Sequence, residues 1–215
     1  MKKIAIITAI TNNYNRLRDF NINDNVECLA FLDEETENNH VYSKMWNVMP
    51  ATNLFNDPNR NAKIYKILSH KFTDAEYIIW IDGNITLKVD HEVIIKDWMD
   101  DTDIAVFKHP FRDCVYDEGI EVIKCGKDTN NTVINHLDRY RKLNYKDHNG
   151  LAECGVIVSR RTKEVNRLFD QWWSEICCGS RRDQISFPYV FNGKYKAIDG
   201  NVRDHKYFNY YKHGV

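Results

Sequence analysis

The stretch YIIWIDGNITLK, residues 77–88, decides the fold class. Five apolar or aromatic residues run without interruption up to Asp82, and an Asp-Gly-Asn turn follows. A short apolar run closed by a turn is typical of a buried strand in a mostly parallel sheet. Ligands of such sheets lie beyond the carboxyl ends of the strands. We therefore expect Asp82 to present a carboxylate to a cleft, with Gly83 allowing the turn and close approach of a ligand. A strand followed by an ordinary Asp-Gly turn explains the same letters.

Length and composition restrict the class of protein. The 215 residues suffice for one compact α/β domain over residues 1–215 and are short for two. A hydrophobic content of 43% supports a core, and no stretch approaches the roughly 18–20 apolar residues of a membrane span. The net charge of −1 argues against a protein held to nucleic acid or to an anionic membrane by its overall field.

The cysteines and the N-terminus indicate a cytoplasmic protein. None of the six cysteines forms a C-x-x-C pair, and the adjacent Cys177-Cys178 is poor zinc spacing. We therefore expect reduced thiols. The apolar run within Met1 to Ile10 is too short for a typical signal peptide and lacks a small-residue cleavage site.

The first strand is predicted at KIAIITAI, residues 3–10. Thr8 and Ala9 near its carboxyl end are candidates to contact a nucleotide base or ribose, although a plain strand end is an equal alternative. The chain contains neither G-x-G-x-x-G nor G-x-x-x-x-G-K-[ST], so ordinary dinucleotide and P-loop proteins are disfavoured. A second strand is predicted at residues 26–32, followed by a solvated acidic loop at residues 33–37.

Residues 59–70 predict a helix that begins with cations. Ile64, Ile67 and Leu68 share one apolar face, and Asn59 or Asn61 can cap its start. Arg60 and Lys63 lie in the first turn, where positive charge opposes the helix dipole. This placement favours an anionic ligand held by both cations and the free N–H groups. A solvated basic face is the alternative.

The remaining elements alternate between helices and strands. Residues 41–49 are either an edge strand or an irregular segment, and residues 144–150 a loop or lid. Helices are predicted at residues 91–99, capped by Asp90, and at 116–124, 132–143 and 164–177. Strands are predicted at residues 104–107 and 194–198, and the stretch 151–159 ends in a strand that begins just after Glu153.

Two further groups carry candidate chemistry. Glu153 lies next to a strand in apolar surroundings, where it either acts on a substrate hydroxyl or pairs with an arginine. Arg182, Asp183 and Gln184 begin a short helix that Pro188 is expected to stop. Aspartate and glutamine bind sugar hydroxyls and arginine binds a phosphate, although a helix cap with an ion pair fits equally. In the C-terminal tail, His205, Lys206 and His213 are candidates to close over a phosphate or metal.

Taken together, these blocks resemble a glycosyltransferase-like family that includes the plant mucilage-related proteins. The resemblance covers about residues 55 to 190 and rests on NRNAK (59–63) with KILSH (66–70), IWIDG (79–83), ECGVI (153–157) and RDQISF (182–187). It implies a GT-A-type, Rossmann-like α/β sandwich with a central, mostly parallel mixed sheet flanked by helices. The sugar nucleotide is then expected at the carboxyl edge of that sheet.

The resemblance also implies roles for single residues. Asp82 looks like the first acid of the Asp-x-Asp motif, which touches the donor ribose or a divalent metal. Asn84 replaces the second acid and is a weaker ligand for Mn²⁺ or Mg²⁺. Asp82, Asn84 and His205 are therefore the candidate metal ligands, while Arg60 and Lys63 can neutralise a diphosphate instead.

The remaining implied roles concern the sugar and the acceptor. Asp183 and Gln184 are similar to an Asp-Gln element that contacts the donor sugar, next to Arg182, and Glu153 is the candidate acid or base near the acceptor. The function implied is transfer of a hexose-type sugar from a nucleoside diphosphate donor, of the UDP class, to a hydroxyl of a glycan. The alternatives are a nucleotide-sugar hydrolase or nucleotidyltransferase, a non-catalytic sugar- or nucleotide-binding module, and transfer to a modified DNA base. The near-zero net charge disfavours the last.

Overall fold

A computed structural model describes residues 3–38 and 43–213. A seven-stranded sheet lies at its centre, in the order β3-β2-β1-β4-β7-β6-β8, and β5 and β9 form a separate two-stranded sheet. In chain order, the nine strands are β1 Ile4–Ile10, β2 Val26–Leu32, β3 Asn47–Pro50, β4 Tyr77–Ile81, β5 Ile85–Leu87, β6 Ile104–Lys108, β7 Ala152–Arg160, β8 Lys196–Ile198 and β9 Phe208–Tyr210.

The central sheet is mixed because one inner strand runs against its neighbours. β1 pairs in parallel with β2 and β4, β2 with β3, and β6 with β8. β7 is antiparallel to both β4 and β6. The amino-terminal half of β7 therefore lies beside the carboxyl ends of β4 and β6, and the Asp82 N–H donates to the Gly155 carbonyl at 2.9 Å. The predicted fold class is confirmed.

In the described ranges, seven α-helices flank the sheet, and their starts follow local side-chain chemistry. Asp57 and Asp90 accept hydrogen bonds from backbone N–H groups at the starts of α2 and α3, as expected for N-caps. The expected cap Asp90 is confirmed, whereas Asp57 replaces Asn59 and Asn61 because Pro58 already occupies the first helical position. The helices are α1 Glu34–Glu37, α2 Pro58–Ile67, α3 His91–Trp98, α4 Val115–Lys124, α5 Asn130–Lys142, α6 Lys163–Cys178 and α7 Asp183–Phe191.

Both faces of the sheet are buried. On one face α2, α6 and α7 pack side chains such as Trp172, Phe187 and Phe191 against β1, β4 and β7. On the other, α3 and the β5–β9 pair pack Ile94, Trp98 and Phe208. Burial on both faces explains why the strands are continuous apolar runs in the sequence.

Among the helices in the described ranges, none combines the length and apolar composition that a bilayer crossing requires.

Three local predictions are wrong for identifiable reasons. The acidic loop at residues 33–37 is the short helix α1, because the buried Asp33 carboxylate caps it through Thr36 N–H and also accepts from Asn12 N–H. Pro188 does not end α7, since the fully buried Phe187 and Phe191 stabilise the helix on both sides of the missing N–H. Glu153 lies within β7 rather than before it. Of the ambiguous segment 41–49, residues 47–49 begin the edge strand β3, and residues 41–42 lie outside the described ranges.

Candidate active site

A cleft of about 720 Å³ lies at the edge of the sheet where β1 and β4 end and β7 begins. Its walls come from the loop after β1, the start of α2, the loop between β6 and α4, the start of α7 and the C-terminal tail. The described residues bring several predicted site residues together here: Ala9, Lys63, Asp82, Gly83, Asn84, Glu153, Arg182, Asp183 and Gln184.

Asp82 stands at the floor of this cleft, directly after β4. Its Oδ1 accepts hydrogen bonds from Trp80 Nε1 at 2.8 Å and from Lys66 Nζ at 3.2 Å, while 41% of the side chain remains exposed. The next residue has to be small, because a Cβ on Gly83 would lie 2.6 Å from Ile10 Cγ1. The carboxylate is therefore held in one orientation and still faces solvent.

A buried ion cluster joins α2 to α7 behind Asp82. Asp183 Oδ2 lies 3.0 Å from Lys63 Nζ and 2.7 Å from Lys66 Nζ, and its side chain is 6% exposed. Lys66 in turn reaches Asp82, so one acid at the start of α7 and one at the end of β4 share a lysine. Buried charges need such partners, because an unpaired ion in the interior carries a large desolvation penalty.

The cluster sets the charge state of its members. Burial would raise the pKa of Asp183, but Lys63 and Lys66 outweigh it and hold the pKa well below its usual range. Burial opposes the charge of Lys66, yet Asp183 and Asp82 raise the pKa of its ammonium. Burial lowers the pKa of Lys63, with Lys66 and Arg182 adding to the effect. Of the two lysines, Lys66 is the one firmly fixed as a cation.

The cleft is positively charged although the whole chain carries a net charge of −1. Seven lysines and arginines line it against five aspartates and glutamates, an excess of two positive charges. Among the residues that the structure describes, Lys127 and Arg182 lie on its wall without a carboxylate at ion-pair distance. The Asp128 carboxylate accepts from Ser180 Oγ at 2.7 Å and from the Arg181 N–H at 2.9 Å. This contact ties together the two loops that carry these cations.

The other predicted residues of the cleft are engaged in defined contacts. Glu153 Oε1 lies 2.7 Å from Arg203, while its Oε2 is buried and without a hydrogen-bond partner. Asn84 is 2% exposed and donates to the Tyr211 carbonyl at 2.9 Å, which anchors the C-terminal tail. Gln184 Oε1 accepts from Arg182 at 3.0 Å.

Three predicted site residues lie elsewhere. Thr8 is buried within β1, short of the strand end. Arg60 turns away from the cleft and donates to the Gly179 carbonyl at 2.8 Å, so it supports the loop before α7. His205 packs its ring against Trp98, Phe107 and Phe208, on the face of the sheet covered by α3.

Of the two tail histidines predicted to close over a phosphate or metal, His213 lines the cleft. Its ring lies 4.8 Å from the ring of Tyr14, centre to centre, and its Nδ1 lies 3.1 Å from Asn15 Oδ1. Burial lowers the pKa of His213, and the nearby Asp82 opposes that shift, so the two side chains interact electrostatically.

The loop after β6 forms a wall of the cleft that the sequence did not indicate as functional. His109 Nδ1 accepts hydrogen bonds from the backbone N–H groups of Phe111 and Arg112, at 3.3 and 3.0 Å. Arg112 lies 2.7 Å from the carboxylate of Glu118, which is buried in α4. No local sequence pattern distinguishes Glu118 as the buried partner of Arg112.

This loop predicts an acid-sensitive contribution to stability. Burial lowers the pKa of His109 from 6.5 to about 4, with Arg112, Arg203 and Lys127 adding to it. Between these values the unfolded chain binds a proton that the folded protein does not, so stability falls as pH drops from 6.5 to 4. The slope from this group is at most about 1.4 kcal/mol per pH unit.

Urea unfolding at several pH values would measure how the free energy of unfolding depends on pH. We expect a shallower dependence in His109→Gln, whose amide oxygen can still accept hydrogen bonds from the two N–H groups. The exposed His148 is the control, because its pKa is raised by Asp113 and its effect has the opposite sign. An unchanged slope in His109→Gln would contradict this assignment.

Fold and cleft together define a class: an α/β domain of the GT-A glycosyltransferase type. The chain belongs to the TOD1/MUCI70 glycosyltransferase-like domain family, whose model matches residues 2–208, and the resemblance found in the sequence is confirmed.

Three individual proteins are similar to this chain to different degrees. The probable hexosyltransferase MUCI70 of Arabidopsis thaliana is 29% identical over 182 residues, 74% of this chain. The chain spans 31% of the length of that relative. The apo structure of the bifunctional glycosyltransferase WbbM superposes with a TM-score of 0.53 at 11% identity, over 92% of this chain and 39% of that one. The glycosyltransferase GlyE of Streptococcus pneumoniae gives a TM-score of 0.47 at 9% identity, over 92% and 45%.

Proposed function

We propose that this domain transfers a hexose-type sugar from a nucleoside diphosphate donor, of the UDP class, to a hydroxyl group of a glycan. The observation that carries the proposal is the shared lysine: Lys66 joins Asp82 at the end of β4 to Asp183 at the start of α7 inside the cleft. Family membership and the match to a probable hexosyltransferase support the same chemistry.

The cations of the cleft suit a diphosphate leaving group. Breaking the bond between the sugar and the diphosphate places negative charge on the leaving oxygen, and fixed positive groups stabilise that charge without reorganisation. Lys66 is held at the floor, and the unpaired Lys127 and Arg182 lie on the wall. The excess of two positive charges matches a ligand with two or more negative charges. Lys63 belongs to the same ion cluster, through its contact with Asp183, and also lines the cleft.

The remaining cleft residues suit the other parts of the two substrates. Ala9 at the end of β1 and the exposed ring of Tyr14 suit the base, and Gln184 beside Arg182 suits the hydroxyls of the donor sugar. Asp183 positions the two lysines, because both ammonium groups contact its Oδ2 while its Oδ1 accepts from the Gln184 N–H. Glu153 lines the cleft beside Arg203, and its carboxylate is the group that we assign to take the proton of the acceptor hydroxyl.

For a divalent cation the cleft offers two candidate ligands, the exposed carboxylate of Asp82 and the ring of His213, an oxygen and a nitrogen ligand of the kinds that Mn²⁺ accepts. Asn84, the third predicted ligand in the cleft, is 2% exposed and bonded to the Tyr211 carbonyl. When bound, such an ion neutralises charge on the diphosphate. Lys66 already neutralises part of the Asp82 charge, so we expect weak metal binding. Among the described residues, the side chains of Cys114, Asp117 and His148 also lie close enough together to hold a metal ion, but none of them lines the cleft.

The experiment is a transfer assay with a panel of nucleotide sugars, together with thermal unfolding in the presence of each, with and without Mn²⁺. A donor that binds the folded state raises the unfolding temperature by mass action. We expect one UDP-sugar to do so and to yield a glycosylated product when a glycan is added. We expect His213→Ala to remove the additional shift caused by Mn²⁺ while keeping the shift caused by the donor alone.

The alternatives give different results. A nucleotide-sugar hydrolase yields free sugar and nucleoside diphosphate at a rate that added glycans do not change. A non-catalytic binding module shows the thermal shift without turnover of any donor. Binding of no nucleotide sugar at all would end the proposal.

A further inference from the structure

The cleft contains an aromatic ring without a packing role. Phe111 is 74% exposed, the highest exposed fraction among the large hydrophobic side chains that the structure describes, and it lines the cleft. Burying a phenylalanine side chain stabilises a folded protein, and the free protein forgoes most of that stabilisation here. A single exposed apolar side chain needs no explanation by itself. Phe111 differs from such side chains because an ordered loop holds it in the cleft.

The loop that carries Phe111 is held at both ends by buried polar groups. The Nδ1 atom of His109 accepts two backbone N–H groups, at 3.3 and 3.0 Å, and Pro110 fixes one backbone angle between them. Arg112 Nε and one terminal nitrogen meet the same oxygen of Glu118, at 2.8 and 2.7 Å, and the Glu118 side chain is 3% exposed. The aromatic face is thus presented by an ordered segment, so a ligand that stacks on it does not have to order the loop.

This loop is also adjacent to the proposed proton acceptor. β6 leads into the loop, and its Phe107 pairs with Glu153 of β7. The His109 N–H donates to the Leu151 carbonyl at 2.8 Å, which continues that pairing into the loop. A group stacked on Phe111 therefore lies on the Glu153 side of the cleft, across β7 from β4 and Asp82.

We propose that Phe111 and Arg112 form the acceptor subsite, and that the acceptor is a saccharide whose pyranose ring stacks on Phe111. A pyranose has an apolar face of C–H groups, which suits an aromatic face, and a rim of hydroxyls, which suits the guanidinium N–H groups that Glu118 does not occupy. The polar, cationic walls disfavour a lipid acceptor. This proposal rests on the proposed function for the identity of the reaction, and its test does not require turnover.

The test is saturation-transfer NMR on the full chain with methyl β-D-glucopyranoside, methyl β-D-galactopyranoside and methyl α-D-mannopyranoside as probes. N-acetylserine amide and thymidine serve as a non-sugar hydroxyl and a nucleobase probe. Each is titrated into the wild type, Phe111→Ala, Phe111→Trp and Ile120→Ala. Ile120 is the matched control because it is exposed, lies on α4 and does not line the cleft.

We expect at least one glycoside to bind the wild type, to bind Phe111→Ala about tenfold more weakly, and to bind Phe111→Trp and Ile120→Ala unchanged. Equal affinity of the glycosides for wild type and Phe111→Ala overturns the proposal, as does binding of none of the three. Preferential binding of thymidine or of the serine amide at Phe111 overturns it in favour of another acceptor class. Failure of the proposed function is recognised separately, as absence of nucleotide-sugar binding in the thermal assay.

Discussion

Replacing Asp82 by alanine is expected to reduce sugar transfer by about a hundredfold or more while leaving the fold intact. Its carboxylate orients Lys66 through a 3.2 Å contact and is the one acid that follows β4 directly into the cleft. Removing one fixed group that stabilises charge in a transition state typically costs about 10²–10³ in kcat. The side chain is 41% exposed, so its loss creates no buried cavity.

Steady-state rates with saturating donor and acceptor measure this effect, and circular dichroism with urea unfolding verifies the fold. Asp199→Ala is the control, because Asp199 is exposed and does not line the cleft. We expect the control to retain full activity. Turnover by Asp82→Ala within a few-fold of the wild type would remove Asp82 from the site.

Replacing Asp183 by asparagine is expected to lower the free energy of unfolding by about 3–5 kcal/mol at neutral pH. The substitution leaves Lys63 and Lys66 buried with half of their negative partners removed, since both contact Asp183 Oδ2. Because the folded pKa of Asp183 is far below its unfolded value, its contribution is present at neutral pH and is lost progressively as pH falls below about 4. Urea unfolding at pH 7 measures the loss.

A double variant separates charge from packing. Adding Lys63→Met removes one of the two stranded ammonium groups, so Asp183→Asn with Lys63→Met is expected to be more stable than Asp183→Asn alone. Asp170→Asn is the matched control, because Asp170 also contacts a lysine, at 2.9 Å, but is 48% exposed. We expect the control to cost less than about 1 kcal/mol. If Asp183→Asn also lowered the free energy of unfolding by less than about 1 kcal/mol, the Asp183 carboxylate would not be what stabilises the two buried lysines.

The sequence located Asp82 because the signal is local. An uninterrupted apolar run ending at Asp-Gly describes a buried strand and its carboxyl end, and β4 ends at Ile81. The blocks around Lys63 and Asp183 were also identified, and the structure brings both residues to the same cleft as Asp82. A helix that begins with cations and another that begins with an acid are complementary. Local patterns therefore indicated the participants, although not their mutual contacts.

Lys66 was missed because helical periodicity does not distinguish a buried lysine from a solvated one. Its partner Asp183 lies in a distant segment of the chain. The two residues come into contact only in the folded protein, where α2 packs against β1 and the start of α7 lies next to α2. The same limit applies to the loop from His109 to Arg112. Its order depends on Glu118 in the following helix and on the antiparallel position of β7, which no local pattern encodes.

The histidines of the tail show a third limit. His205 and His213 follow one another within a segment rich in aromatic and basic residues, and the sequence favoured His205. The β5–β9 pairing then decides which histidine faces which side, because it fixes Phe208 in the core and leads the chain on through Tyr211 to the cleft. Direction in a short tail depends on tertiary pairing rather than on composition.

Calorimetric titration of UDP and of uridine into the wild type and into Lys66→Met tests most directly whether the buried cation cluster binds the diphosphate. The account predicts that the wild type binds UDP at least about tenfold more tightly than uridine, a difference of about 1.4 kcal/mol from the phosphates. It also predicts that Lys66→Met loses most of that difference and still binds uridine as the wild type does. Equal affinities of UDP and uridine for the wild type, or an undiminished preference for UDP in Lys66→Met, would contradict it.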